Sequence, residues 1–409
     1  MKLSAPAHPG FRLLFASSLV SLFGEGLFIL TSILLVKSIS NSVTALSWMF
    51  ILTVVPSIVL APFAGAVIDR FHKGSVALVC QLARAVLLAS LAILLLTKHA
   101  SLVVVYATII LHDTFYYFLV PVTDSLTREL LGEDEYVRGE SFMQGAWQVG
   151  LLVSSLVAGT LLTYFGAPET LLCSTMAYLA SSSILWRLRR SGPARAPAAR
   201  PPTEGWLREI QEGWRYIQGR SSLRYASLAA SLALPIMLAL NILIAPFNEA
   251  LLHGNPMTLG IIDAAISLGG ILSATVCVGL AQRQQLGGMT LAALVLLMVS
   301  ITAFVASRST VPAVLTYTAV GTFVGMFKVL SKSVVYRNVE AVFVGRTMAS
   351  ISMVSLIVSI PLSLLIGYVG ERSIPGAYVM LIGFMLAPIT LIALSQRKVL
   401  APAGAPESR

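Results

Sequence analysis

The sequence predicts an all-α integral membrane protein of twelve transmembrane helices, arranged as two pseudo-symmetric six-helix bundles. Three observations predict it. Apolar residues gather in twelve blocks, each near the ~20 residues that span the ~30 Å hydrocarbon core of a bilayer. The chain is 56% hydrophobic and only 11% charged, where globular domains carry ~25% charged residues. The charges that remain sit between the blocks and are unevenly shared. With the N-terminus inside, the inside segments, with the block ends that border them, hold 22 of the 28 Lys and Arg, while the outside connections hold four: Lys37, Lys98, Arg308 and Arg372. The positive-inside rule then places both termini in the cytoplasm. The net charge of +10 is therefore a topology signal and not a nucleic-acid footprint.

The blocks cover residues 11–36, 44–67, 75–97, 101–122, 138–162 and 168–186, then 225–250, 257–281, 288–306, 311–331, 346–369 and 375–395. The first is too long for a signal h-region and lacks a clear cleavage site, so it reads as a mature helix. Most connections are short. The exception, 187–224, opens with a basic Pro/Ala-rich run that cannot build a core and reads as linker. It continues into Trp206-Leu-Arg-Glu-Ile210-Gln-Glu-Gly-Trp214-Arg-Tyr-Ile217. Trp206, Ile210, Trp214 and Ile217 form one apolar stripe, which predicts a helix lying along the cytoplasmic membrane surface. The expected organisation is an N-terminal bundle 1–186, a linker 187–224, a C-terminal bundle 225–398 and a cytoplasmic tail 399–409. Cys80, Cys173 and Cys277 lie singly inside apolar blocks, without disulfide or metal-ligand spacing.

The turn between the second and third blocks reads Gly65-Ala-Val-Ile-Asp69-Arg70-Phe-His-Lys73-Gly74, and the same place in the second half reads Gly279-Leu-Ala-Gln-Arg283-Gln-Gln-Leu-Gly287. Both are short, glycine-bounded basic turns, which supports internal duplication. The first resembles the cytoplasmic signature of the major facilitator superfamily. Two further segments, Glu209-Ile-Gln-Glu-Gly213-Trp-Arg-Tyr216-Ile and Val344-Gly345-Arg346-Thr-Met, resemble the linker helix and Gly-Arg turn of its macrolide-efflux and enterobactin-exporter permeases. The resemblance covers nearly the whole chain. It implies two six-helix bundles around a central cavity, alternating access, export driven by protons, and a functional monomer in the bacterial inner membrane. It also implies a charge network at Asp69 and Arg70 that latches the halves in one state. Two family features are missing. Gly150-Leu-Leu-Val-Ser154-Ser155-Leu-Val-Ala158-Gly159 lacks the exporters' span-five proline, and span four lacks the Arg of many drug/proton antiporters.

Ionisable groups at bilayer depth cost ~2.5–3.5 kcal/mol each on insertion scales, so they face a cavity or a partner. Glu25 lies midway along the first block with Ser18, Ser21 and Ser32 on its face. Burial disfavours the charged form of a carboxylate, which suits Glu25 to bind and release a proton; the alternative is a structural hydrogen bond to a neighbouring helix. His112 and Asp113 sit midway along the fourth block, with Tyr106 and Tyr117 on the face of Asp113. Arg84 of the third block reaches similar depth, and an Arg84–Asp113 pair would cancel two buried charges. Glu140, Gln144 and Gln148 recur at i, i+4, i+8, which reads as cavity lining; Glu140 alternatively joins the Asp69/Arg70 network. The second half offers Asn241, Lys328 opposite the first-half carboxylates, Asp263 as a mouth residue, and a row at Ser352, Ser355, Ser359 and Ser363. Gly65, Asp69, Arg70, Lys73, Gly74, Glu140 and Arg346 form the expected cytoplasmic gating motif.

No phosphate-binding Gly-x-x-x-x-Gly-Lys-Ser/Thr, His-Glu-x-x-His or Gly-x-Ser-x-Gly is present. The sequence thus predicts no enzyme, cofactor or metal. It predicts a secondary active transporter, with protons, membrane lipids and an amphipathic small molecule (drug, macrolide or siderophore) as its partners. A lipid flippase or an importer on the same fold is the alternative, and a non-transporting scaffold or sensor a more distant one.

Overall fold

A computed structural model describes residues 8–191, 206–280, 285–340 and 343–400. Within those helices, the side chains of 61–70, 133, 134, 137, 190, 191, 206–210, 278–280 and 397–400 lie outside the described set. The described residues form α-helices in the order α1 (Pro9–Ser40), α2 (Val43–Arg70), α3 (Lys73–Leu96), α4 (Leu102–Tyr164), α5 (Ala167–Ser191), α6 (Trp206–Gln218) and α7 (Ser221–Ser231). These are followed by α8 (Ala233–Ala250), α9 (Pro256–Leu280), α10 (Leu286–Ala306), α11 (Thr310–Asn338), α12 (Val344–Arg372), α13 (Ile374–Phe384) and α14 (Leu386–Leu400).

Local chemistry sets the boundaries. Pro9 opens α1, where its missing N–H costs nothing. Asn41 closes it in the left-handed conformation that Asn tolerates. The Ser101 hydroxyl accepts the Val104 N–H at the start of α4. Two spans are interrupted rather than continuous, at Leu232 between α7 and α8 and at Met385 between α13 and α14. α4 holds two spans, Leu102–Gly132 and Arg138–Tyr164, parted by the non-helical Gly132.

Eleven segments among the described residues are long and apolar enough to cross a membrane. α5, the sixth block of the sequence, is not among them, although its 25 residues reach ~37 Å at 1.5 Å per residue. Thr170, Ser174, Thr175, Ser181 and Ser182 lower its hydropathy, and all five are buried. They face protein: Ser174 donates to the Gly24 carbonyl at 2.6 Å, and Ser17 and Ser181 exchange hydroxyl–backbone bonds at 3.2 and 3.0 Å. Small hydroxyl residues let helices approach closely in an apolar medium.

The pattern of α3 is the reverse of a soluble helix. Val79, Val86 and Ile93 are 59%, 64% and 57% exposed, while Gln81 and Arg84 on the opposite face are buried. An apolar outer face with polar groups within is what lipid requires.

The chain divides into two compact units, Met1–Thr203 with Phe247–Ser267, and Glu204–Pro246 with Leu268–Arg409. In the first, α1 packs on α4 and α5, and α3 on α4 and α5. Leu14, Ala77, Cys80, Leu119, Val122, Leu126, Leu185 and Leu188 form a core cluster there. In the second, α10 packs on α11, α7 on α14, and α6 on α12.

The apolar stripe of the linker helix, expected to face the membrane surface, is covered by protein over its described part. The side chains of Trp206 and Ile210 lie outside the described residues. Ile217 is fully buried with Leu223, Ala226, Ala230, Val335 and Ile351, and Trp214 packs against this cluster. α7, α11 and α12 thus supply the apolar surface that the sequence assigned to lipid.

Candidate functional site

The first unit encloses a polar cluster built on Arg84. α3 turns this side chain inward, and it is the bulkiest fully buried residue among the described ones. A guanidinium cannot shed its charge, so every N–H needs a partner away from water. Arg84 Nη2 pairs with Glu25 Oε2 of α1 and donates to Tyr178 Oη of α5 at 2.7 Å. Nη1 donates to Gln81 Oε1 at 3.2 Å and to Ser21 Oγ at 3.4 Å. Nε donates to His112 Nε2 at 3.1 Å. The guanidinium carbon also lies 4.2 Å from the Tyr178 ring centroid and 5.1 Å from that of Tyr116, a favourable cation–π arrangement. Four helices therefore converge on one cation.

The remaining bonds fix the acid and the imidazole. Tyr178 Oη lies 3.1 Å from Glu25 Oε2 and 3.0 Å from His112 Nε2. Gln81 Nε2 donates to Ser21 Oγ at 2.6 Å and to Ser181 Oγ at 3.1 Å. Because His112 Nε2 accepts from Arg84, the ring proton of a neutral imidazole belongs on Nδ1. That nitrogen lies 3.4 Å from Asp113 Oδ1. The Phe28 ring covers the imidazole with 4.0 Å between centroids. Asp113 Oδ2 is buried and has no hydrogen-bond partner. Glu25 is thus held by two donors, whereas Asp113 has one long contact and an idle oxygen.

Sequence reasoning found Glu25, Arg84, His112 and Asp113, and the structure brings all four together. It changes one pairing: the ion-pair partner of Arg84 is Glu25, not Asp113, because the Arg84 and Glu25 side chains meet between the helices packed on α4 and α5, and Asp113 is turned to its neighbour His112. Tyr178, Gln81 and Tyr116 were missed. Ser174, Tyr178, Ser181 and Ser182 on α5 were the available signal, a polar face on a helix that a bilayer should otherwise make apolar. Glu25, His112 and Asp113 bring one donor atom each within 4.8 Å of one another, a spacing that suits a metal ion. Arg84 already engages Glu25 Oε2 and His112 Nε2, and its fixed positive charge opposes a cation there.

The other expected residues lie apart. Gln144 is exposed and donates to Glu140 Oε1 at 3.1 Å, and Gln148 is half-buried. In the second unit Asn241 is half-buried, and Lys328 is exposed one turn before Lys332. Lys73 pairs with Glu129 of α4, and Gly74 packs beside His72 and Arg189. The side chains of Gly65, Asp69 and Arg70 lie outside the described residues. Arg346 pairs with Glu212 of the linker helix at 2.8 Å. Asp263, expected at a mouth, accepts a hydrogen bond from Ser155 of α4 at 2.6 Å. Ser355 and Ser359 of α12 are buried and donate to carbonyls of their own helix. Cys80, Cys173 and Cys277 are free.

No curated protein matches the chain in sequence. Several solved structures share its fold at low identity. A nucleoside transporter, NupG, aligns with a TM-score of 0.75 at 12% identity over 95% of this chain and 99% of its own. A bacterial homologue of the human lysosomal transporter Spinster, inward-facing and unoccupied, gives 0.72 at 13% identity over 97% and 98%. The peptide transporter POT in complex with sulfate gives 0.70 at 14% identity over 95% and 94%. The family model described as Major Facilitator Superfamily matches residues 14–360. This multi-pass membrane protein, a transporter and not an enzyme, belongs to the Major Facilitator Superfamily.

Proposed function

We propose that the protein is a proton-coupled exporter of an amphipathic small molecule such as a drug, a macrolide or a siderophore, of the macrolide-efflux and enterobactin-exporter type. It works as a monomer in the bacterial inner membrane with both termini cytoplasmic. Residues 1–186 and 225–398 act as two bundles joined by the linker 187–224, with 399–409 as a tail. The observation that carries the reading is the idle, buried Oδ2 of Asp113 beside a closed Arg84–Glu25–Tyr178 network. A buried carboxylate oxygen without a donor is costly, and a proton relieves that cost directly. Glu25 is the less suited carrier, since it would have to abandon Arg84 and Tyr178 at each turnover.

In this cycle Asp113 takes a proton from the outside, and His112 Nδ1 holds its other oxygen in place. Arg84 and Glu25 keep the site rigid and neutral as a pair. Substrate and proton then occupy the site in alternate conformations, as alternating access requires. Gln144 and Gln148 of the first unit, and Asn241 and Lys328 of the second, are the residues this reading assigns to substrate contact, and the Gly65–Gly74 turn with Glu140 is assigned to cytoplasmic gating.

The test is flux of ethidium, erythromycin and enterobactin in proteoliposomes with an imposed pH gradient. Gradient-driven flux in wild type that disappears in Asp113→Asn, with the variant still inserted and folded, supports the reading. Flux indifferent to the gradient and to Asp113 replaces it with a facilitator or a lipid flippase.

A further inference from the structure

Two motifs that the charge cluster leaves unused, the linker helix and the Gly345–Arg346 turn, meet in the second unit. α6 crosses the start of α12 at Gly213. A Cβ on Gly213 would stand 2.2 Å from the Arg346 carbonyl oxygen and 2.6 Å from Ser350 Oγ, so the approach depends on glycine. One residue earlier, Glu212 pairs with Arg346 at 2.8 Å. One turn later, Tyr216 lies flat on Phe343, with 4.3 Å between centroids and 11° between planes. The Glu340 N–H donates to Tyr216 Oη at 3.2 Å, and Arg220 Nη1 donates to the same oxygen at 2.9 Å. Arg220 Nη2 pairs with Glu340 at 2.7 Å. Glu340, Phe343 and Arg346, spread along the α11–α12 turn, are therefore each held by α6 or by Arg220 just after it.

We infer that α6 is a fixed clasp on the α11–α12 turn, docked in every state of the transport cycle, with Glu212 and Tyr216 positioning the start of α12. Arg346 then serves this clasp and is not part of a gate that opens and closes. Three features favour a permanent mounting. The contact is glycine against a carbonyl, a shape match with no slack. Undocking would expose Ile217, which is fully buried against α7, α11 and α12. Only Gly219 and Arg220 separate α6 from α7, so the helix has little chain with which to swing away.

Hydrogen–deuterium exchange of the full-length protein in proteoliposomes, with and without an imposed pH gradient, tests this without a substrate. Peptides spanning 211–218 and 343–350 should exchange slowly and identically in both conditions. Glu212→Ala should speed exchange in both peptides roughly threefold, the scale of one partly exposed ion pair. The charge swap Glu212→Arg with Arg346→Glu should restore the wild-type rate. Gly213→Leu should speed both peptides by about tenfold or more, as overpacked contacts do; the Glu212 variants, at the rim of the contact, carry the test if that protein fails to fold. Faster wild-type exchange in these peptides under the gradient overturns the inference, as does Glu212→Ala leaving 343–350 unchanged.

Discussion

The two units bury their large polar side chains in opposite ways. In the first, Tyr178 places its hydroxyl among Arg84, Glu25 and His112, and four helices share one ionic network. In the second, Tyr378 and Tyr317 are also fully buried, but they pack ring against ring on Phe304, at 6.0 and 4.5 Å between centroids. Within the long spans the serines differ too, while Ser222 of α7 and Ser395 of α14 bond between helices in the second unit. Ser17, Ser174 and Ser181 bond between helices, whereas Ser355 and Ser359 return their hydrogens to their own helix. The first unit buries its charged network among the spanning helices; the second keeps its ion pairs, Arg346–Glu212 and Arg220–Glu340, partly exposed beside the linker helix and packs its buried tyrosines against Phe304. Among the described residues, the fully buried ionic network lies in the first unit.

The contrast breaks most severely at Arg84. Arg84→Leu leaves Glu25 buried without its cation and should cost about 3–5 kcal/mol, read as a drop in the thermal unfolding midpoint in detergent. Adding Glu25→Leu should recover most of that loss, because the pair is removed as a unit. Tyr178→Phe takes one hydroxyl from charged partners and should cost about 1.5–3 kcal/mol. Ser181→Ala, which removes an interhelical bond, should cost about 1 kcal/mol. Ser359→Ala, which removes only a bond within α12, should stay within about 0.5 kcal/mol. Equal losses at Ser181 and Ser359 would show that the division between the units is not energetic.

Asp113→Asn sharpens the comparison on the functional side. Amide for carboxylate keeps the volume and the contact to His112, so the unfolding midpoint should barely move. A carboxylate gains its proton as the pH falls, so wild-type export should rise with external acidity. In Asp113→Asn the same pH series should be flat. A variant that remains pH-sensitive moves the exchangeable proton to another group.

The sequence made the spans legible because a bilayer imposes one rule on every residue facing it. Buried charges were legible for the same reason: Arg84 and Glu25 have no business in an apolar block without a partner. Which partner was not legible. Arg84 can reach both Glu25 and Asp113 in principle, and the choice is made by helix rotation, which hydropathy does not encode. Tyr178 and Gln81 escaped notice because an uncharged polar group raises no alarm in a block pattern. The linker stripe misled for a related reason. Trp214 and Ile217 need an apolar cover, and protein and lipid supply equivalent ones.

Gly132 has a consequence that reaches beyond its own turn. Its backbone angles, φ 71° and ψ 177°, are tolerated essentially by glycine alone, and among the described residues no atom would obstruct a Cβ there. The demand on this position is purely torsional. α4 holds 63 residues, which as one straight helix would measure ~95 Å, some three times the hydrocarbon thickness. One torsion thus separates a chain that returns across the bilayer from a rod that would carry its second apolar arm out into water.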